Sequence, residues 1–280
     1  MTVVIRYVNK HGEVIERFMV VVHVATTTTA CLKEAIDSLF AKNGLSVARL
    51  RGQGYDGASN MSREFNGLKS LIMKENPYVL YVHCFAHQLH VVVVAVAQAN
   101  QYEMDSHFSE ATTDLLIYMS CLDPKNSFSR FDVQKLVRLT HFYEDDFSWN
   151  ERMLVEQELE TYIDDVRSDE RFEDISYLGA LAKKMIETMT NRVFPLVYRM
   201  IELALLLPVA TATVERVFSA MNIVKIDLRN KIGDEWMNAS LVVYIEKDVF
   251  NTVDNEPILQ RFQNMESRKC NCHVFVSRLL

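Results

Sequence analysis

The chain has 280 residues, 49% of them hydrophobic and 24% charged, with 8 Gly, 5 Pro and a formal net charge of −7. That composition fits one large or two ordinary globular domains and excludes wholesale disorder and loop-dominated or low-complexity classes. Five scattered cysteines (Cys31, Cys84, Cys121, Cys270, Cys272) exclude a disulfide framework. The longest apolar run, residues 91–97, is far short of the ~20 needed for a membrane span, and residues 1–10 carry no leader pattern, so the expectation is a soluble intracellular protein.

Residues 3–7 and 14–24 are β-branched runs separated by turn residues at 9–12, which predicts a hairpin. Threonines at 26–29 offer N-caps, and Leu32, Ala35, Ile36, Leu39 and Phe40 then recur at helical spacing until Asn43 and Gly44. A short strand at about 47–51 is expected to enter a glycine-rich turn at 52–57. A helix over roughly 62–75, stopped by Asn76 and Pro77, precedes a strand at 79–83 and a helix at 86–99. Hairpin, helix, strand, helix, strand, helix is an α/β layer order.

After residue 107 the periodicity is helical throughout, over 131–147, 151–166, 178–190, 193–207, 211–224 and 234–250. The tail from 251 has weak periodicity and is expected to fray. Residues 1–100 carry 10 basic and 7 acidic side chains, residues 101–192 carry 10 and 20, and residues 193–280 carry 10 and 10. The acidity therefore sits in the middle segment, whose charged helix faces are solvated and would repel DNA.

Three stretches carry chemistry-bearing side chains. The run Arg51-Gly-Gln-Gly-Tyr-Asp56-Gly-Ala-Ser-Asn60 puts Asp56 just after a strand, where α/β proteins seat ligands; taken alone, Asp56 reads as a turn cap. No Gly-Lys-Ser/Thr follows, so the turn is not a phosphate loop. The run His83-Cys84-Phe-Ala-His87-Gln-Leu-His90 is rich in potential ligands, but no second Cys/His pair lies at finger spacing. It reads as a buried thiol beside a hydrogen-bonded imidazole. Glu215 stands in Pro208-Val-Ala-Thr-Ala-Thr-Val-Glu-Arg-Val-Phe-Ser-Ala220, where Val209, Thr213 and Val217 share one helical face, so Glu215 points elsewhere as a solvated charge beside Arg216.

Taken together these segments resemble the hAT superfamily of DNA transposases, in particular relatives described as MYM-type zinc-finger-like. RGQGYDGASNM at 51–61, residues 64–71 and HCFAHQL at 83–89 are similar to that family's catalytic core. LPVATATVERVFSAM and LRNKIGDEWMNASLVVYIEKDVF, within residues 194–250, are similar to its C-terminal dimerisation region. The resemblance implies an RNase H-like fold in which three carboxylates gather two divalent ions, Mg²⁺ in the parent family, for phosphodiester attack. Under it Asp56 matches the second acidic ligand, Glu215 the third, and Cys84 and His87 the Cys-x-x-His motif.

The same resemblance places a first catalytic Asp on a strand before residues 2–7, and no Asp of this sequence precedes Asp37. The expected fold is therefore α/β, a truncated RNase H-like core with its first strand missing and its insertion domain mostly lost, followed by an all-α dimerisation region. The expected partition is a partial core at 1–100, an acidic helical connector at 101–192, a dimerisation region at 193–250 and a poorly ordered tail at 251–280. Without the central strand, either residues 3–7 pair directly with 47–51 or the hairpin is left loose with bare edges.

The functional expectation is a catalytically inactive dimerisation module with Asp56 and Glu215 vestigial, no cofactor, and a homodimer or a heterodimer with related transposase-like chains. Leu203, Leu206, Trp236, Leu241 and Tyr244 are expected to face a partner or the residual core. The alternatives are a metal-dependent transposase or nuclease and a non-catalytic DNA-binding regulator. Arg49, Arg51, Arg63 and Lys69 are too few for strong phosphate binding, so DNA binding is expected to be weak or absent, with no membrane contact. The resemblance implies a nuclear setting.

Overall fold

The computed structural model describes residues 1–55, 58–62, 67–84, 110–208, 212–225 and 233–264. The fold is mixed α/β, with two small sheets at the front of the chain and helices behind.

The hairpin forms as expected from strands β1 (Thr2–Val8) and β2 (Val14–Val21). Asn9 organises its turn, the side-chain oxygen accepting from the amides of His11 and Glu13 at 2.9 and 3.0 Å. Gly12 adopts φ +75° and comes so close to Ala182 that a Cβ would sit 2.9 Å from that residue's carbonyl. The ladder carries a bulge. Val3 pairs with Val20 but Val4 with Phe18, so Met19 is the extra residue. A regular strand would turn Phe18 and Val21 to opposite faces; the bulge resets the alternation and lets both pack into one cluster.

The second sheet corrects the sequence reading. Residues 47–49 form a 3-10 turn rather than a strand, started by Ser46, whose hydroxyl accepts from the Ala48 amide at 3.2 Å. The strand β3 lies at Gly52–Tyr55, inside the stretch read as a turn, and pairs in parallel with β4 (Leu80–His83). Its glycines serve close approach rather than bending. A Cβ on Gly52 or Gly54 would meet the Pro208 ring at 2.9 Å, so the chain after the last core helix lies flat on this strand.

Among the described residues the two sheets do not join, and neither expectation for the hairpin holds. Instead β1 and β2 dock on helices from the far end of the chain. Arg6 of β1 donates through Nε to the carbonyl of Leu205 at 2.7 Å, while Gly54 of β3 abuts Pro208. Residues 205–208 thus meet both sheets.

Helix α1 (Thr29–Lys42) runs where expected and ends at Gly44 with φ +65°. It packs on α2 (Leu68–Glu75) through Leu32, Leu68, Ile72 and Val79. The buried Lys33 ammonium bridges Asp37 at 2.6 Å and Glu75 at 2.5 Å. The expected helix over 62–75 is realised in described residues only as a short turn at Ser59–Ser62 and as α2. The helix expected at 86–99 lies outside the described residues.

The main core belongs to α3 (Glu110–Ser120), α4 (Val133–Leu139), α5 (Trp149–Ser168), α6 (Leu178–Glu187) and α7 (Pro195–Leu206). Asp132 caps α4, and a full capping box of Ser148 and Glu151 starts α5. Val155, Leu159, Tyr162 and Val166 recur at helical spacing as the buried stripe of α5. Glu158 caps α7 from outside it, its carboxylate accepting the amides of Leu196 and Val197 at 2.7 and 3.0 Å. This core crosses the expected boundary at residue 192, because Phe194, Val197, Met200 and Ile201 of the α7 segment lie in its centre.

Two further helices follow, α8 (Ala212–Val224) and α9 (Asp234–Ile245). The expected helix over 234–250 breaks at Glu246, whose backbone leaves the helical region before a short turn at Lys247–Phe250. The tail is not wholly irregular. Asp254 caps α10 (Asn255–Gln263), its side chain accepting from the Glu256 amide at 3.1 Å.

Candidate dimerisation surface

Helix α9 is apolar on two faces. Met237 and Leu241 point inward, with Val242 and Ile245 beside them, against Phe18 and the α8 residues Val217, Ala220 and Val224. The opposite side bears Trp236, 67% exposed, and Val243, 40% exposed, one heptad apart; Tyr244, 38% exposed, stands one heptad from Met237 and borders the buried face. The Lys247 ammonium stands 4.6 Å from the Tyr244 ring centroid. A helix whose only burial were the cluster with Phe18 would be polar on that outer side.

The main chain of β2, with the Arg17 side chain, holds this helix in place. Phe18 donates its amide to Glu246 Oε1 at 2.7 Å, and Arg17 donates to the other oxygen at 2.8 Å. Eight residues earlier, Asn238 bonds both the N–H and the carbonyl of Val21. The outer edge of β2 is therefore satisfied by side chains of α9 and its C-cap instead of by another strand. On the other side of the hairpin, Thr213 of α8 donates its hydroxyl to Glu16, and Glu16 pairs with Arg6 at 3.0 Å.

The residues singled out from sequence fall as follows. Leu203 is buried in the main core and Leu241 in the α8–α9 cluster, so these two serve the chain's own interior; Leu206 is half-buried. Trp236 and Tyr244 are the members of that set left exposed. Glu215 is exposed on α8, away from the buried face made by Thr213, Val217, Ala220 and Val224, as its spacing predicts. Cys84 is buried just after β4 and donates its amide to the Tyr55 carbonyl at 3.1 Å. Burial raises the Tyr55 phenol above its ordinary range. Asp56 and His87 lie outside the described residues, β3 ending at Tyr55.

Glu215 is thus the one described member of the expected acidic pair. Among the described residues no three His, Cys, Asp or Glu side chains come together as a metal site requires. No helix among them is long and apolar enough to cross a membrane. Of the basic stripe, Arg51 is engaged by Asp146 and two main-chain carbonyls, and Lys69 sits 5.3 Å from the Tyr81 ring centroid. Arg49 is exposed, and Arg63 lies outside the described residues.

Asn238, Glu246, Glu16 and Arg6 escaped the sequence reading. Their only signal was polarity inside apolar runs, Asn238 within an otherwise hydrophobic helix and Arg6 and Glu16 within β-branched strands.

Comparison with known families agrees with this layout at both ends. Residues 1–67 match the family described as ZMYM1/FAM200, RNase-like domain. Residues 183–249 match the hAT family C-terminal dimerisation region, which takes in α7, α8 and α9 and stops short of α10. No solved structure matches the chain.

Proposed function

We propose that this chain, a hAT-derived transposase-like protein, acts as a dimerisation module that performs no strand cleavage of its own. The observation that carries the reading is the exposed apolar side of α9, inside the segment that matches the dimerisation region. Covering it is favourable at roughly 25 cal/mol per Å² of apolar surface removed from water, and an exposed stripe of this kind marks an interaction site. The partner under this proposal is another copy or a related transposase-like chain.

Within this chain only Asp56 and Glu215 match the family's acidic ligands, and Glu215 is exposed with no group of ligands around it among the described residues. Hard divalent cations are held by several fixed oxygens. Weak DNA binding is supported by Arg51 and Lys69, whose cations already face protein partners. A nuclear setting rests on the resemblance alone.

Sedimentation at micromolar concentration tests the dimer directly; a folded chain that stays monomeric would overturn it. A supercoiled-plasmid nicking assay with Mg²⁺ or Mn²⁺ tests inactivity. Cleavage that disappears in Asp56→Asn or Glu215→Gln would show an active enzyme. Retention on DNA at ~100 mM salt would restore the regulator reading.

A further inference from the structure

The outer face of α5 changes character along its length. Trp149, Met153 and Leu154, in its first turns, are 69%, 65% and 59% exposed. Each starts a row that ends in acid. Trp149 is one heptad before Glu156, Met153 is one heptad before Glu160 with Asp164 four residues further, and Leu154 is eleven before Asp165. The two arginines of the helix are turned elsewhere, Arg152 to Glu144 at 3.3 Å and Arg167 to the carbonyls of Ser127 and Phe128. Glu156 accepts from Gln134 at 2.6 Å, and among the described residues Glu160, Asp164 and Asp165 pair with no basic side chain.

Both halves of this face are unfavourable for the chain by itself. The buried stripe of Val155, Leu159, Tyr162 and Val166 lies on the other side of the helix, so the exposed apolar side chains add nothing to the core. Carboxylates towards a helix C-terminus oppose the macrodipole, where Lys or Arg would stabilise. One ligand relieves both.

We infer that the outer face of α5 docks a basic amphipathic segment of another protein. Its apolar side chains sit on Trp149, Met153 and Leu154, and its Lys or Arg side chains run along Glu160, Asp164 and Asp165. Charge complementarity selects this occupant, since an acidic segment or a nucleic acid is repelled and a purely apolar one leaves the carboxylates uncompensated. From Trp149 to Asp165 the helix rises ~24 Å, a span met by ~16 helical or ~7 extended residues of the partner. Tryptophan supplies a large rigid contact and methionine an adaptable one. The face lies before residue 183, where the matched dimerisation region begins, so it is separate from the α9 surface.

The test uses the full chain carrying Trp236→Phe, which leaves Trp149 as its single tryptophan. The probe is a synthetic peptide of ~16 residues, Leu-rich in one half and Lys-rich in the other. Its addition shifts the Trp149 emission to the blue, and raising salt from ~0.1 M to ~0.5 M weakens its binding. Met153→Ser and Leu154→Ser each weaken binding about tenfold. Asp164→Asn combined with Asp165→Asn does the same at low salt. Melting temperatures stay near that of the starting chain, because these side chains face solvent. A peptide with Glu in place of Lys does not bind. Failure of the Leu/Lys peptide to bind, binding that survives all of these substitutions, or equal binding of the Glu peptide would overturn the inference. A blue shift of Trp149 on concentrating the protein without peptide would show that a second copy covers the face, and would overturn it as well. Sedimentation of the unsubstituted chain decides the dimerisation reading independently.

Discussion

Asn238 of α9 grips Val21 of β2 by both main-chain groups, its Oδ1 accepting from the amide at 2.7 Å and its Nδ2 donating to the carbonyl at 3.0 Å. The side-chain amide reproduces what a neighbouring strand would offer. It joins residues 217 apart in sequence, so it couples the front hairpin to helix α9.

Asn238→Ala leaves a part-buried donor and acceptor without their partner, which costs about 1–3 kcal/mol. The urea midpoint falls and the Val21 amide loses its hydrogen-exchange protection, while α5 and α7 amides keep theirs. Asn238→Asp keeps the acceptor, loses the donor, and sets a carboxylate against the Val21 carbonyl. It is expected to be at least as destabilising as Asn238→Ala at neutral pH and to recover when acidified. Equal protection of Val21 in wild type and variant would contradict this.

Two glutamates on the first half of α5 shift in opposite directions and give opposite pH signatures. Glu151 is held below its ordinary carboxylate range by Ser148, through hydroxyl and backbone, and then by Arg199. Its contribution is present above the unfolded value of 4.5 and is lost as pH falls through the lower folded value. Glu158 is raised, first by burial, against the amides of Leu196 and Val197. The native state therefore holds its proton more tightly, and stability falls as pH rises from 4.5 towards the folded value. In thermal melts from pH 3 to pH 7, Glu151→Gln is expected to lose most relative to wild type at neutral pH and least in acid. Glu158→Gln keeps an acceptor for the two amides, and its melting temperature gains on wild type as pH rises.

Much of the helical part was legible in the sequence because apolar spacing and caps agree there. Ser148 with Glu151, Asp132 and the Val155–Leu159–Tyr162–Val166 stripe all report local geometry. What escaped was set by distant partners. Gly52-Gln-Gly-Tyr55 carries turn composition, yet it is a strand because Pro208, more than 150 residues on, needs the space a side chain would fill. The Met19 bulge and the Asn238–Val21 clamp are likewise tertiary, and residue-by-residue preferences do not encode them. Of the candidate interface, Leu203 and Leu241 are core and Trp236 and Tyr244 surface, a distinction that α9, apolar on both sides, hides from periodicity.

Gly54 is the most demanding of the β3 positions. An added Cβ would lie 2.9 Å from Pro208 Cγ and 3.0 Å from its carbonyl oxygen, and neither a proline ring nor a backbone oxygen swings aside. Gly54→Ala is therefore expected to cost about 1–3 kcal/mol by forcing β3 from residues 206–208. Gly44→Ala is a contrasting control: nothing lies within 4 Å, and only its φ of +65° opposes the change, for ~1–2 kcal/mol. The two are separated by hydrogen exchange. Gly54→Ala deprotects the β3–β4 pair, whereas Gly44→Ala affects the end of α1.

Arg51 ties the motif that leads into Asp56 to the helical core. Its Nε donates to Asp146 Oδ2 at 2.5 Å, and its Nη1 donates to the carbonyls of Ala48 and Leu50 at 2.9 and 2.8 Å. Both charged side chains are under one-fifth exposed. Removing one partner strands the other's charge, so Arg51→Ala and Asp146→Ala are each expected to cost roughly 2–4 kcal/mol. In a double-mutant cycle the second substitution adds little to the first, because the interaction is already gone. Arg51→Lys keeps the charge but loses the planar fork that reaches carboxylate and carbonyls together, and so recovers only part of the loss. Retention on DNA at ~100 mM salt should not change in Arg51→Lys, since that guanidinium faces protein rather than phosphate. Strict additivity of the two alanine substitutions in denaturant melts would show that the pair contributes nothing.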